Sequence, residues 1–330
     1  MSQDLPPDTA RLSDTAPVER GARAARGGAW LELLRLPNVF TALADVLAGF
    51  LFTHADLTRW PLLALLAASS AAMYVAGMVL NDVYDVDVDA RERPARPLPS
   101  GRVPLGLARA VGFELLLVGL ACGWAAAFVA GTWRPGLVAT LLAATVWSYD
   151  AWSKRTVAGP LFMGACRGLN LLLGMSVATF AWHEVHLLVA TALGIYIAGL
   201  TWFARREAVE SRRGVLAAAT CVVAAGLALL AAFPQWADAR LDPLSQPVAL
   251  GMRQWWLLVG VLGALIVRRF VAAVVDPTPR NVQRAVKDGI LSLVVLDAAI
   301  VAVARGPWWS VPVLLLLLPA LWLSRRLAMT

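Results

Sequence analysis

The stretch Asn81-Asp-Val-Tyr-Asp85-Val-Asp87-Val-Asp89 follows directly on the apolar run 61–80. Behind it comes Arg91-Glu-Arg93-Pro-Ala-Arg96-Pro-Leu-Pro-Ser-Gly-Arg102. The preceding run is about the 20 residues that a hydrocarbon core asks of one helix, so a bilayer lies on one side of the acidic cluster. Carboxylates crowded at that depth repel one another unless a cation neutralises them. Asp82, Asp85 and Asp89 share one face if the helix continues past Asn81. Asn81 adds an amide oxygen beside them, and Asp87 points away. Hard oxygen donors of this kind suit Mg²⁺, which usually binds proteins through one or two carboxylates plus substrate phosphates. The stretch therefore predicts a membrane enzyme that holds a lipid diphosphate.

The rest of the chain fits that setting. Of its 330 residues 59% are apolar and 15% charged, a balance that belongs to a polytopic membrane protein rather than a soluble domain. Apolar stretches near 36–53, 61–80, 105–130, 134–150, 158–180, 186–204, 214–233, 253–275, 286–304 and 308–324 predict an all-α transmembrane bundle of nine or ten spans around a central cavity. Residues 1–30 read as a flexible tail and 31–330 as one membrane domain. The formal charge of +7 is spread unevenly. With the N-terminus inside, the far side holds only Arg59, Arg134, Arg240, Arg253 and Arg305, apart from residues within the spans. Positive-inside asymmetry then places the N-terminus and the acidic motifs in the cytoplasm of a multi-pass cell-membrane protein. The basic residues are topology signals, and they do not call for nucleic acid. Cys122, Cys166 and Cys221 lie in apolar spans without a CxxC partner, so they read as packing residues. Trp60, Trp133, Trp182, Trp236 and the pairs Trp255-Trp256 and Trp308-Trp309 mark span ends as an aromatic belt.

Polar residues within the spans nominate the rest of a site. Asn38, Asp45, Arg109, Glu114, Arg167, Asn170 and Asp297 are costly to expose to lipid and are expected to face the bundle interior. Arg167 and Asn170 are three apart and share a helical face, as Asn38 and Asp45 do at seven. Asp45 is a candidate for orienting an acceptor or removing its proton. Lys154, in the cytoplasmic group Tyr149, Asp150, Lys154 and Arg155, is a candidate diphosphate contact. A second cytoplasmic segment carries Arg206, Glu207 and Glu210. There Glu210, with Glu207, is expected to supply carboxylates across the cavity mouth, and the neighbouring arginines would grip phosphate oxygens in bidentate fashion.

These residues resemble the UbiA superfamily of intramembrane prenyltransferases. Residues 81–89 fit its first aspartate-rich motif, NDxxDxxxD. Arg93-Pro-Ala-Arg96-Pro-Leu-Pro-Ser-Gly101 resembles the sequence that follows it, and Arg35-Leu-Pro37-Asn38 resembles the opening of the first transmembrane helix. The resemblance implies a helical bundle around a cavity open toward lipid and cytoplasm. It also implies Mg²⁺-dependent transfer of a prenyl group from an isoprenyl diphosphate to a lipid-soluble, often aromatic, acceptor. On that reading Asp82, Asp85, Asp89 and Glu210 hold the metal, and Asn38, Asn81, Lys154, Arg167, Asn170, Arg206 and Glu207 contact substrate. The second motif departs from the family's pattern of two aspartates four apart: aligned on Gly214, it has Arg206 at the first position and Glu210 at the second. That departure, with Cys166-Arg167-Gly-Leu-Asn170, looks most like the EboC-like branch. Three rivals stay open: a repurposed membrane protein in lipid or pigment metabolism, a small-molecule transporter, and a phosphatase or phosphotransferase acting on a lipid diphosphate.

Overall fold

The computed structural model describes residues 27–205, 211–237 and 250–327. Among them there are helices and turns and no strand. In chain order the helices are α1 (27–34), α2 (Val39–Thr53), α3 (Trp60–Tyr84), α4 (Val86–Glu92), α5 (Leu105–Ala130), α6 (Arg134–Ala151) and α7 (Gly159–Met175). They continue with α8 (Glu184–Ala204), α9 (Arg213–Ala237), α10 (Met252–Val275), α11 (Pro279–Arg305), α12 (Pro307–Leu315) and α13 (Leu317–Leu327).

The protein is a multi-pass membrane protein built as an all-helical bundle. Among the described residues six helical stretches, Gly27–Thr53, Trp60–Tyr84, Leu105–Ala130, Glu184–Ala204, Arg213–Gln235 and Met252–Val275, are long and apolar enough to cross a bilayer. The ten apolar stretches of the sequence all become helix, and the last is divided. Its break falls at Leu316, where Pro319 has no N–H to donate to the carbonyl one turn earlier. Helix starts are marked in the same chemical language: α3, α6, α7, α11 and α12 carry proline in their first two positions, where no intrahelical donor is needed.

Small residues set the helix spacing. Without a hydrophobic drive between helices in lipid, close van der Waals contact does the packing. A Cβ on Gly49 of α2 would lie 2.2 Å from the Leu171 carbonyl oxygen of α7, and one on Gly174 of α7 would lie 2.2 Å from the Val46 carbonyl oxygen of α2. α2 and α7 thus touch backbone to backbone. α2 also packs against α3 and α11, and α8 against α7 and α9. These contacts leave a cavity of about 370 Å³ lined by α2, α3, α6, α7, α8 and α11.

Two expectations fail on the outer surface. Arg109 and Glu114 of α5 are exposed rather than turned inward, because α5 gives the bundle mainly its small residues Ala108, Gly112, Gly119, Gly123, Ala126 and Ala127. Trp255 does not sit in the aromatic belt: it is fully buried and its indole donates to the Ala231 carbonyl at 2.9 Å. Trp60, Trp133, Trp256 and Trp308 are exposed, as belt residues should be.

Candidate active site

α3 does not run straight through the acidic stretch. It ends at Tyr84, Asp85 forms the joint (φ −99°, ψ 4°), and α4 resumes at Val86. The joint still carries helical bonds, Asp85 N–H to Asn81 O at 3.1 Å and Asp89 N–H to Asp85 O at 2.8 Å. The three aspartates therefore stay near one another, but the bend divides them into two environments. Asp82 and Asp89 are buried and share Arg96, whose Nη1 lies 2.7 Å from Asp89 and 3.6 Å from Asp82. Asp85 turns toward Lys154 Nζ at 2.8 Å and Arg155 Nη2 at 3.4 Å. Asp87 is exposed, as its spacing predicts.

Lys154 is positioned by the 3₁₀ turn Ser153–Arg155 between α6 and α7. Its ammonium also donates to the Asn81 side-chain oxygen at 3.0 Å and to the Asn81 carbonyl at 3.2 Å. It thus ties the α6–α7 connection to the end of α3. On the other side, Arg35 donates to Asp82 Oδ1 at 2.7 Å. Arg35 is the one non-glycine residue with positive φ among the described residues (φ 46°). A left-handed backbone at a non-glycine costs roughly 1–2 kcal/mol, and such strain gathers at functional sites. Here it turns the chain from α1 into the Leu36–Asn38 turn and aims the guanidinium at Asp82.

The sequence reading missed Arg35 and Arg96 as site residues. Arg35 lies 47 positions from its partner, and no local spacing joins the two. In the sequence Asp150 is only one of the cytoplasmic group Tyr149, Asp150, Lys154 and Arg155. It is buried, lines the cavity beside Arg35 and Asn81, and its Oδ2 has no hydrogen-bond partner. Asn38 lines the cavity mouth at the start of α2. Arg206, Glu207 and Glu210 lie outside the described residues.

Below the charged mouth the cavity is largely apolar, walled by Met73, Met78, Leu142, Val146, Met163 and Leu293. At its inner end polarity returns. Arg167 and Asn170 line it from α7 as their spacing predicts, with Thr41, Ser70 and Tyr74 nearby. Arg167 donates to Asp45 Oδ2 at 2.8 Å and to the Thr41 hydroxyl at 2.7 Å. Asn170 donates to the same Asp45 oxygen at 2.9 Å and to the Ala42 carbonyl at 2.8 Å. Asp45 itself is wholly buried and does not line the cavity, which corrects the expectation that it touches an acceptor. Helix α2 turns it toward α7 and α11, where it anchors Arg167 and Asn170 and faces the buried carboxyl of Asp297.

The chemistry of the mouth suits a hard cation and phosphate together. Its acceptors are all oxygens, from three aspartates and the Asn81 amide, with the unpartnered Asp150 oxygen close by. Among the described residues no three acidic, His or Cys side chains converge on one point, since Arg96 and Lys154 stand between the carboxylates. The same cations are free to exchange a carboxylate for a phosphate oxygen at little electrostatic cost.

Comparison with known proteins extends this geometry. Over 156 residues the chain is 33% identical to a digeranylgeranylglyceryl phosphate synthase of Ignicoccus hospitalis, an alignment that covers 47% of this chain and 48% of that protein. The chain thus spans about half the length of that relative. A solved digeranylgeranylglyceryl phosphate synthase structure superposes with a TM-score of 0.63 at 18% identity, covering 85% of this chain and 99% of the other. A UbiA homologue from Archaeoglobus fulgidus, bound to DMAPP and Mg²⁺, superposes with a TM-score of 0.52 at 16% identity over 83% and 99% of the two chains. At such identities the structural likeness establishes the shared fold. The sequence profile of the UbiA prenyltransferase family matches residues 42–293, and the chain belongs to that family.

Proposed function

We propose that the protein transfers a prenyl group, within the membrane and with Mg²⁺, from an isoprenyl diphosphate to a lipid-soluble acceptor. The observation that carries this reading is the cavity mouth: three aspartates and Asn81 interleaved with Arg35, Arg96, Lys154 and Arg155 above an apolar chamber. The A. fulgidus homologue bound to DMAPP and Mg²⁺ supports the donor class and the metal, and the synthase relatives support a lipid acceptor. Asp82, Asp85 and Asp89 would hold the metal, with Asn81 beside them and Glu210 and Glu207 completing the set from the α8–α9 connection. The bound metal would neutralise charge gathering on the departing diphosphate. Arg35, Lys154 and Arg155 would share that task as direct phosphate donors, joined by Arg206. The allylic C–O bond breaks with its electron pair leaving on the diphosphate. The acceptor supplies the pair for the new bond and loses a proton. The apolar walls keep water from competing for the carbocation-like carbon.

Positive-inside asymmetry supports a cytoplasmic mouth and N-terminus. Arg206 at an aspartate position still marks the EboC-like branch as the expected relation. The test is incubation of the protein in nanodiscs with Mg²⁺, radiolabelled prenyl diphosphates of several lengths and a membrane-lipid extract. The expected result is a labelled lipid that requires Mg²⁺ and is absent with Asp82→Asn or Asp85→Asn. Folded wild-type protein that neither binds nor turns over any donor would overturn the proposal.

A further inference from the structure

The polar inner end of the cavity has its own recognition chemistry. Arg167 spends two of its five N–H groups on Asp45 and Thr41, and its side chain lines the cavity at 11% exposure. The Asn170 amide orientation is set by its partners: Ala42 O and Asp45 Oδ2 are both acceptors, so the NH₂ faces them and Oδ1 faces away. Asn170 is itself 5% exposed and lines the cavity. A cation's N–H groups and an amide acceptor thus stand three residues apart on one helical face.

Net charge decides what this pair can bind. The Arg167 charge is already held by Asp45, and a second buried carboxyl, Asp297, faces Asp45 from α11. One guanidinium set among two acids has no positive charge left for an anion, and Asn170 Oδ1 would repel a carboxylate or phosphate oxygen. A neutral hydroxyl suits both groups, accepting from Arg167 and donating to Asn170. Tyr74, which feels the Arg167 charge, lies seven residues before Asn81 on α3, about 10 Å along the helix axis. A diphosphate held at the Asn81 end would leave a gap of about that length, enough to admit one aromatic ring between the two groups.

We infer that Arg167 and Asn170 select an acceptor bearing an uncharged hydroxyl on the end away from the reacting atom, and discriminate against acceptors with an acid at that place. The inference rests on the transferase reading and names its acceptor class. It is tested on the full chain in nanodiscs by titration calorimetry with 2-naphthol, 2-methoxynaphthalene and 2-naphthoate, with geranyl diphosphate and Mg²⁺ as a separate arm. The wild type is expected to bind 2-naphthol at least about tenfold more tightly than either analogue, since each leaves a buried polar group unpaired. Arg167→Lys, which keeps the charge on Asp45 and loses the fork, is expected to erase the preference while geranyl diphosphate still binds. Equal or tighter binding of 2-naphthoate, three equal affinities, a preference that survives in Arg167→Lys, or no naphthol binding would each overturn the inference. Failure of geranyl diphosphate to bind the wild type would strike the transferase reading instead.

Discussion

Replacing Gly49 by alanine adds one methyl group where α2 and α7 have no space for it. The new Cβ would stand 2.2 Å from Leu171 O, 3.1 Å from Met175 N and 3.2 Å from Gly174 Cα. Ordinary contacts at such a carbon begin near 3.4 Å, so α2 and α7 must separate by about 1 Å. All three obstructing atoms are backbone, and no side-chain rotation relieves them. Overpacking of this kind costs roughly 1–3 kcal/mol. The separation also falls one turn from Asp45, whose bonds to Arg167 and Asn170 at 2.8 and 2.9 Å would be stretched past useful length. Gly49→Ala and Gly174→Ala are therefore expected to lower the thermal unfolding midpoint in detergent and to weaken 2-naphthol binding together. Gly260→Ala, on α10 with nothing within 4 Å of the added carbon, is the control and should leave both unchanged. A Gly49→Ala protein as stable as the wild type would refute the claim that backbone contact between α2 and α7 sets the inner end of the cavity.

Arg35→Gly should relieve about 1 kcal/mol of backbone strain but leave buried Asp82 with only Arg96 at 3.6 Å, so stability should fall while Mg²⁺-dependent geranyl diphosphate affinity, read by calorimetry, falls about tenfold or more. Lys154→Met should leave Asp85 and Asn81 without their shared ammonium, and a similar loss of donor affinity is expected by the same titration. Asp45→Leu strands the Arg167 charge in the interior and should cost roughly 3–5 kcal/mol in chemical unfolding, whereas Asp45→Asn keeps a hydrogen-bond acceptor and should cost less. Arg134→Leu should destabilise the α7–α8 connection by about 1–3 kcal/mol, because Arg134 donates to the Phe180 carbonyl at 2.7 Å and also to that of Ala178; limited proteolysis of 176–183 would report it.

The features legible in the sequence are those whose partners are periodic neighbours. The acidic stretch at the end of a span and the helical pair Arg167 and Asn170 could be read from local spacing, and Lys154 could be nominated only from its place in a cytoplasmic group. Arg35 could not, since its carboxylate lies 47 positions away and is brought near by folding, and Arg96 could not, since the chain must turn back after α4 to bring it onto Asp89. Asp45 and Arg109 show the limit of the rule that intramembrane charge turns inward. Asp45 turns so far inward that it serves Arg167 rather than the cavity, and Arg109 does not turn inward at all. The bend at Asp85 was also invisible, because an unbroken i, i+3, i+7 spacing is compatible with a straight helix and with a jointed one.

Prenyl transfer requires cleavage of the allylic C–O bond, with the prenyl carbon passing to the acceptor. Donor carrying oxygen-18 at the bridging position measures this directly, with mass spectrometry of the released phosphate species and the lipid product. Prenyl transfer predicts that all of the label leaves in inorganic diphosphate and none appears in the lipid. Label retained on a prenyl alcohol or prenyl phosphate would mean P–O cleavage, and would make the protein a hydrolase or phosphotransferase of lipid diphosphates instead.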